Sequence, residues 1–356
     1  MKVLHFDARF IRLDHHDGIS RFSVELIKSL AKKVKVVAII YDLRQLEHLP
    51  MDIEFVVLNN TQSPAELFIA SKLNKLGATH VFSPMQIMGT AGRKYKLILT
   101  LHDLIYYRHR KPPQDLNFFV QLIWRTYHLS YLPQRLLLNR ADAIATVSKT
   151  TKKLIEEYNL TKREVGVVYN AAPGKPASSA RVMPTSKKLL YIGSFMPYKN
   201  VETLVKALGL LPEYELQLLS KIDDSRRLVL SQLAERVQAK IVFHSGVSDE
   251  EYTALLQEAF ALVSASKDEG FGIPLVEAMQ QGTPVVVSDL EIFNEVAGKA
   301  GKYFSTDNPV DFAKRISELE DKSIWTETSR LSIIQAKQFN WDSSAEFLLE
   351  LFRKLG

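Results

Sequence analysis

Two acidic side chains, Glu269 and Glu277, are separated by seven residues in the segment DEGFGIPLVEAM. Carboxylates accept hydrogen bonds from hydroxyl groups, so two of them in one crevice would bind a hydroxyl-rich ligand. Gly270 and Gly272 would let the backbone approach such a ligand closely, and the amides that open a helix at Ile273 would receive a phosphate. The segment therefore predicts a site for a phosphorylated, hydroxyl-rich molecule.

Two glutamates at this separation are also compatible with solvated surface charges, which is the ordinary situation of Glu. The helix that would carry Glu277 opens with Ile-Pro-Leu-Val and is largely apolar. Burial of a carboxylate there requires a polar partner. We therefore favour a binding role over a surface role for the pair.

The elements that position these residues are predicted from short β-rich runs that alternate with helical stretches, a pattern typical of parallel α/β sheets. Glu269 follows a predicted strand at Ala261–Ser264, at the carboxyl end where open α/β sheets bind ligands, and precedes a predicted helix at Ile273–Gln280. Other predicted strands are Val3–Asp7, Val34–Ile40, Phe55–Leu58, His80–Ser83, Leu97–His102, Ala143–Val147, Val165–Tyr169, Leu189–Gly193, Glu215–Leu219, Ile241–Phe243 and Val285–Ser288. The sequence thus predicts two doubly wound sheets.

A domain boundary is indicated by residues 173–186, which are rich in Pro, Gly, Ser and Ala and lack periodic apolar positions. We expect a first domain over 1–172, a linker over 173–186 and a second domain over 187–338. Residues 339–356 are expected to form a terminal helix, capped by Asp342 or Ser343.

Composition excludes several classes of protein. The chain has 356 residues, 46% of them hydrophobic, and no cysteine, which argues against disordered, collagenous and disulfide-framework proteins and rules out a thiolate nucleophile or Cys-ligated metal. No run of about 18 apolar residues is present. We expect a cytoplasmic protein with no signal peptide and no membrane span.

Further motifs in chain order carry a resemblance to a known family. EGFGIPLVEAM, followed by GTPVVVSD and NEVAG, resembles the E-x7-E region of the family-4 retaining glycosyltransferases. Residues 18–21 (GISR) resemble that family's N-terminal glycine loop, His102-Asp103 its HD element, and YIGSFMPYKN its strand-loop with a diphosphate-binding lysine. The resemblance implies the GT-B fold, with two Rossmann-like doubly wound parallel-sheet domains facing a cleft and the terminal helix crossing back to the first domain.

The resemblance also implies roles for individual residues on the donor side. Glu269 would bind hydroxyls of the donor sugar and Glu277 those of the ribose, while Lys199 would neutralise the diphosphate. A cation fixed beside a leaving phosphate stabilises the charge that develops there. Backbone groups of Gly270, Phe271, Gly272 and Ile273 would add donor contacts.

In the first domain the resemblance assigns His102 to the catalytic site, as a residue that hydrogen-bonds the sugar. A structural histidine at the end of the strand is the alternative. Gly18 would contact the donor diphosphate, whereas Ser20, Arg21 and Asp103 are candidates for the acceptor side. Asp103 has the alternatives of orienting His102 or capping the next turn.

The sequence departs from the family at two places. Ser194 stands where many relatives have an arginine, so we expect Lys221 to supply the missing positive charge on the donor side. The N-terminal loop has one glycine where a pair is common. In that loop His15 and His16, with Asp14 and Asp17, are a weak candidate for a metal site; no Asp-x-Asp motif is present, and we expect no metal and no cofactor besides the donor.

Residues 105–140 interleave basic residues with aromatic residues, within a first half (residues 1–170) that holds 25 basic and 15 acidic residues. Such a mixture suits a membrane interface, where rings lie at headgroup depth and cations meet anionic lipid. An amphipathic segment with its aromatic face in the core is equally compatible. No recognition motif for nucleic acid accompanies the charge.

Taken together, the residues and the resemblance predict a retaining hexosyltransferase. The donor is expected to be GDP-mannose, with a UDP-hexose as the alternative, and the acceptor a lipid-linked or polysaccharide hydroxyl. A peripheral location at the inner face of the cell membrane follows if residues 105–140 bind lipid. The alternative from another functional class is a protein that binds sugar nucleotides without catalysis.

Overall fold

A computed structural model describes residues 3–13, 17–110 and 118–356 of the chain. The chain divides into two compact units, residues 1–170 together with 340–356, and residues 171–339. Each unit is built on its own sheet, with helices between most of the successive strands. The predicted α/β class with two Rossmann-like parallel-sheet domains is confirmed.

The sheet of the first unit is parallel throughout. Its strands are β1 (Val3–Asp7), β2 (Lys35–Ile40), β3 (Glu54–Val57), β4 (His80–Ser83), β5 (Lys96–Leu101), β6 (Ala143–Thr146) and β7 (Glu164–Val167). Their order is β3-β2-β1-β4-β5-β6-β7. The order reverses between β1 and β4, and a crevice forms at such a point because the loops that follow the two strands run to opposite faces of the sheet.

Helices of the first unit cover both faces of this sheet. They are α1 (Gly18–Ala31), α2 (Ile69–Lys75), α3 (Ile105–Arg108), α4 (Phe118–Tyr127), α5 (Leu132–Leu138), α6 (Lys149–Glu157) and the C-terminal α14 (Trp341–Lys354). α1 begins where the Asp17 carboxylate accepts a hydrogen bond from Ser20 N, which satisfies an amide that the helix leaves open. Its apolar side, with Phe22, Leu26 and Leu30, is buried.

The C-terminal helix α14 belongs to the first unit. Ser344 Oγ donates to the Tyr169 carbonyl over 2.7 Å. The side chain of Leu351 passes so close to β7 that a Cβ at Gly166 would lie 2.9 Å from it. The absence of a side chain at Gly166 therefore permits this packing.

The cap of α14 differs from the prediction. Asn340, rather than Asp342 or Ser343, is the N-cap, and its Oδ1 accepts from Ser343 N over 2.8 Å. The prediction placed the helix start too late because Trp341, the first residue of the helix, is apolar and buried and was not recognised as part of the first turn.

The second unit is built on a six-stranded parallel sheet. Its strands are β8 (Lys188–Tyr191), β9 (Glu215–Leu218), β10 (Lys240–Phe243), β11 (Ala261–Ser264), β12 (Val285–Ser288) and β13 (Gly301–Phe304). Its helices are α7 (Val201–Leu208), α8 (Asp224–Val237), α9 (Asp249–Glu258), α10 (Ile273–Gln280), α11 (Glu291–Ala297), α12 (Pro309–Glu318) and α13 (Lys322–Ala336). The order β10-β9-β8-β11-β12-β13 reverses between β8 and β11.

Residues 173–186 are part of the second unit in the structure. Gln280 Nε2 donates to the Pro173 carbonyl over 2.6 Å, and Ala177 N donates to the Gln280 carbonyl. Arg181 Nη1 donates to Thr283 Oγ1 over 2.8 Å. These bonds attach the segment to the end of α10 and to the turn that follows it.

Three predicted elements around the acidic segment, β11, α10 and β12, have the predicted bounds. The elements α11, α12, α13 and β13 were not predicted individually. In α13 the buried positions include Thr328, Ser329 and Ser332, so burial there does not follow an apolar periodicity. Within the described ranges, no helix combines the length and apolar character needed to cross a membrane.

We predict that Asn340→Ala lowers the free energy of unfolding by about 1 kcal/mol, because an amide of α14 loses its cap. Ser343→Ala, which leaves the cap in place, is the matched control. Denaturation followed by circular dichroism measures both variants. Equal stability of the two variants would contradict the assignment of Asn340 as the cap.

Candidate active site

A cation and a carboxylate meet at the point where the second sheet reverses its order. Lys199 follows β8 and Glu269 follows β11, and the Lys199 ammonium is in direct contact with the Glu269 carboxylate. The two side chains are 14% and 17% exposed. The structure thus brings two of the predicted site residues into contact.

The loop after β8 positions Lys199 through a short 3-10 turn, Pro197–Lys199. Asn200, which ends this turn and precedes α7, has a left-handed backbone with φ of 54°. Asparagine tolerates that conformation better than most residues. Lys267 N donates to the Tyr198 carbonyl over 2.7 Å, so the loops after β8 and β11 are bonded directly to each other.

Gly272 sets the path of the backbone between Glu269 and α10. Its φ is +91°, and a Cβ at this position would lie 3.1 Å from the Phe293 ring. Both the backbone conformation and the space therefore favour glycine. α10 then begins at Ile273, with Pro274 in its first turn, so that Ile273 and Leu275 carry backbone amides while Pro274 has none.

A small pocket opens beside the ion pair. Lys199 and Glu269 line it together with the polar side chains Ser264 and Ser266. Its apolar wall includes Ile192, Pro274, Leu275 and Phe293. The pocket thus combines a cation, a carboxylate and serine hydroxyl groups with an apolar surface.

Glu277 lies on α10 and is 7% exposed. The carboxylate is therefore buried in this largely apolar helix, as the sequence suggested. It is not one of the described residues that line the pocket. Phe271 is also buried and packs edge-on against Phe339, with ring centroids 5.5 Å apart. The side chain of Phe271 therefore packs inside the second unit and supports the loop.

Ser194, which stands in place of the family's arginine, and Lys221, which was expected to compensate for it, are not among the described residues that line the pocket. Ser194 is exposed, and its carbonyl accepts from the buried Tyr191 hydroxyl over 2.6 Å. Lys221 is exposed beyond β9, and its stem passes Gly246, where a Cβ would lie 3.4 Å from it.

His102 in the first unit follows β5, beside the point where that sheet reverses. Its Nε2 is 2.7 Å from the Pro84 carbonyl oxygen, and its ring packs edge-on against Phe22 at 5.2 Å between centroids. Burial lowers the pKa of His102, against the opposing effects of the Pro84 carbonyl and of the Asp103 and Asp17 carboxylates. A neutral ring that donates from Nε2 satisfies this geometry and leaves Nδ1 as an acceptor.

Asp103 and Ser20 have structural partners in the first unit. Asp103 Oδ1 accepts from Ile105 N over 2.9 Å, which is the capping alternative considered for it. Ser20 is fully buried, and its hydroxyl accepts from Arg12 N over 3.0 Å. Ser20 therefore stabilises the segment before α1. Gly18 is exposed at the start of that helix, and Arg21 follows in its first turn.

The weak metal candidate in the N-terminal loop depends on Asp14, His15 and His16, which lie outside the described residues. Across the part of the chain that the structure describes, no group of three or more His, Asp or Glu side chains is arranged to hold a metal ion.

Sequence reasoning missed a buried ionic network at the end of β1. Arg9 Nε is 2.7 Å from Asp7 Oδ1, and Arg9 Nη1 is 2.6 Å from Glu66 Oε2. Burial alone lowers the pKa of Arg9, but the two carboxylates outweigh it and the pKa is raised. The network holds the segment around Glu66 against the switch point of the first sheet. The one sequence pattern that could have indicated this network is Asp7-Ala8-Arg9 at the end of the first predicted strand.

The arginine-rich and aromatic segment divides into an inner and an outer side. Aromatic rings of the α3–α5 region pack on each other, with centroids 4.4 Å apart for Tyr107 of α3 and Tyr131 before α5, and 4.1 Å apart for Trp124 of α4 and His128 after it. The outer side consists of aliphatic residues that are 50–67% exposed. They are Leu122, Ile123, Leu129, Leu132 and Leu136, and we call them the α4–α5 aliphatic face.

Two parallel-sheet units, with an ammonium and a carboxylate beside a pocket at a sheet switch point, fit the class of GT-B glycosyltransferases. The comparison with family models agrees over nearly the whole chain. Residues 16–173 match Glycosyltransferase Family 4, and residues 178–339 match Glycosyl transferases group 1. The chain belongs to this family and is a glycosyltransferase of the hexosyltransferase type.

Two of the curated relatives are named as bacterial mannosyltransferases. The chain is 29% identical to O-antigen chain mannosyltransferase B of Escherichia coli, over 95% of this chain and 96% of the relative. It is 28% identical to the O-antigen chain mannosyltransferase RfbU of Salmonella typhimurium, where the match covers 62% of this chain and only 60% of the relative.

Solved structures share the fold at low sequence identity. A sucrose-phosphate synthase from Thermosynechococcus elongatus aligns with a TM-score of 0.76 at 18% identity, over 100% of this chain and 99% of that one. Anabaena HepE in complex with UDP and glucose aligns with a TM-score of 0.72 at 17% identity, over 99% of this chain and 100% of that one.

We predict that the imidazole of His102 titrates below its ordinary pKa of 6.5, because burial penalises the charged ring. The unfolded chain then binds this proton more readily than the native state, so His102 contributes a loss of stability as the pH falls below 6.5. NMR titration of the histidine ring protons, assigned with His102→Gln, measures the midpoint. A midpoint at or above the ordinary value would contradict the prediction.

Proposed function

We propose that this glycosyltransferase is a retaining enzyme that transfers mannose from GDP-mannose to a hydroxyl of a lipid-linked or polysaccharide acceptor. The observation that carries the proposal is the meeting of Lys199 and Glu269 beside one pocket. An ammonium is the group a diphosphate needs, and a carboxylate is the group sugar hydroxyls need. The pocket beside Lys199 and Glu269 therefore offers a partner for the diphosphate and a partner for the sugar hydroxyls of a nucleotide sugar.

In the proposed reaction, the bond from the anomeric carbon to the phosphate oxygen breaks while the acceptor oxygen bonds to that carbon on the same face. The acceptor proton passes to the leaving phosphate oxygen. Lys199 stabilises the negative charge on that diphosphate, and the backbone amides of Gly270, Phe271, Gly272 and Ile273 add further donors. No protein carboxylate acts as a nucleophile, and no metal is needed to hold the diphosphate.

The remaining donor contacts extend from the same loop and helix. Glu277 accepts from the ribose hydroxyls, and its burial makes such donors valuable to it. Ser194 and Lys221, which follow β8 and β9, contribute to the diphosphate site in this proposal. In the first unit, Nδ1 of neutral His102 accepts from a sugar hydroxyl, and Gly18 and Arg21 at the start of α1 provide the diphosphate and acceptor contacts of that unit.

Mannose is the preferred donor sugar because the two relatives described above are named as mannosyltransferases. Ser194 in place of an arginine is consistent with that choice. A UDP-hexose is the second candidate, since the HepE structure of the same fold holds UDP and glucose.

Thermal stabilisation by GDP, GDP-mannose, UDP and UDP-hexoses tests the donor, because a ligand that binds the native state raises its melting temperature. We expect the guanosine compounds to act selectively. Selective shifts with UDP compounds would replace mannose by the second candidate. The absence of a shift with every compound would contradict the proposal.

We predict that Lys199→Ala and Glu269→Ala each reduce sugar transfer by about 10²-fold or more, because each removes a charged contact to the donor. Lys206→Ala and Glu235→Ala, which change exposed residues of α7 and α8, are the matched controls and should retain wild-type transfer. Transfer is measured as release of nucleoside diphosphate in the presence of acceptor. Wild-type rates in both site variants would overturn the assignment.

The α4–α5 aliphatic face supports a peripheral location at the cytoplasmic side of the membrane and hence a lipid-linked acceptor. Five exposed aliphatic side chains lie on one segment, next to the exposed Arg125 and Arg140. Aliphatic groups enter the boundary of the acyl chains, and each basic residue near an anionic surface contributes about 1 kcal/mol. The inward packing of the rings assigns lipid contact to the aliphatic residues rather than the aromatic ones.

We predict that the protein binds vesicles of phosphatidylglycerol and phosphatidylcholine at low salt, and that Leu122→Asn/Ile123→Asn weakens this binding several-fold. Leu67→Asn/Phe68→Asn replaces two residues of the first unit that are 70% and 66% exposed, and is the control. Vesicle co-sedimentation measures the bound fraction. Equal binding by the two double variants would remove the support for this surface.

A further inference from the structure

The contact between Lys199 and Glu269 joins two groups that the proposed function assigns to different parts of the donor. Lys199 is assigned to the diphosphate and Glu269 to the sugar. Without a ligand, each is the partner of the other, and both side chains are largely buried. A donor must therefore separate them before it can bind both.

The pocket offers the carboxylate no other cation. Lys199 is the sole cationic side chain among the described residues that line it. Lys267, two residues before Glu269, is paired with Asp307 at 2.8 Å. When a phosphate takes Lys199, Glu269 consequently loses its partner and faces a second anion.

The cost of that exchange depends on what else the ligand carries. Two like charges about 4 Å apart in partly buried surroundings repel by an appreciable free energy, and an uncompensated buried carboxylate adds its desolvation. A nucleoside diphosphate brings its phosphates to Lys199, and its ribose hydroxyls are the ones assigned to Glu277, so it supplies no hydroxyl donor to Glu269. A nucleotide sugar also brings hydroxyl groups, which donate to Glu269 and satisfy the carboxylate.

We propose that Glu269 determines specificity between donor and product, by competing with the diphosphate for Lys199 unless sugar hydroxyls engage it. The inference rests on the proposed function. It assigns Glu269 a role beyond holding the sugar: after transfer the carboxylate recovers Lys199 and so promotes release of the nucleoside diphosphate. The free protein then binds the intact nucleotide sugar in preference to the nucleoside diphosphate.

Isothermal titration calorimetry of the full chain tests this, with GDP and GDP-mannose, or with UDP and UDP-glucose if those stabilise the protein. In Glu269→Gln, which removes the charge and keeps the shape, we expect the nucleoside diphosphate to bind about tenfold more tightly than in wild type. The nucleotide sugar should bind no more tightly. The preference for the sugar nucleotide thus falls by about tenfold.

Glu235→Gln removes the same charge from an exposed position of α8 and should keep the wild-type preference. If Glu269→Gln does not give a wild-type circular dichroism spectrum, Glu269→Ala carries the same expectation. Unchanged or weaker binding of the nucleoside diphosphate by the Glu269 variant would overturn the inference. Failure of the folded wild-type protein to bind any of the four nucleotides would instead overturn the proposed function, and the inference with it.

Discussion

The ion pair between Lys199 and Glu269 depends on the order of strands in the second sheet. The two residues are 70 positions apart in the chain, yet β8 and β11 are neighbours. Parallel strands bring their carboxyl ends to one edge, and the reversal of order at this point keeps the helices after β8 and β11 from closing over that edge. Opposite charges from distant parts of the sequence can therefore meet beside a pocket.

Local backbone features keep that meeting in place. Asn200 and Gly272 both adopt left-handed backbone conformations, one just after the cation and one just after the carboxylate. The bond from Lys267 N to the Tyr198 carbonyl joins the two loops. Charged groups on loops with these constraints lose less freedom when a ligand binds, because much of the ordering has already occurred during folding.

The first unit uses the same sheet arrangement with different side chains. At its switch point the buried network of Asp7, Arg9 and Glu66 connects loops, and His102 lies beside it on the carbonyl of Pro84. A buried ion pair adds little net stability but is costly to break at one partner. Such a network suits a scaffold whose neighbouring histidine must stay neutral and oriented.

The sequence by itself determined the fold class, the family and the identity of the charged residues. Periodicity identified β11, α10 and β12 with their bounds, since each is largely apolar and lies between turn residues. Periodicity did not identify α13, where threonine and serine occupy buried positions in place of apolar residues. The sequence prediction also assigned the cap of α14 to residues within the helix, whereas the cap is Asn340. Contacts between residues far apart in the chain required the tertiary structure. Only the structure shows that Glu269 contacts Lys199, that Glu277 is not part of the pocket lining, and that Ser20 is buried. It also shows that the aromatic rings of the α3–α5 region pack inward while their aliphatic neighbours are exposed. The physical reason is that residue type and spacing specify what a side chain can bind, whereas its partner is decided by which strands and loops the whole sheet places side by side.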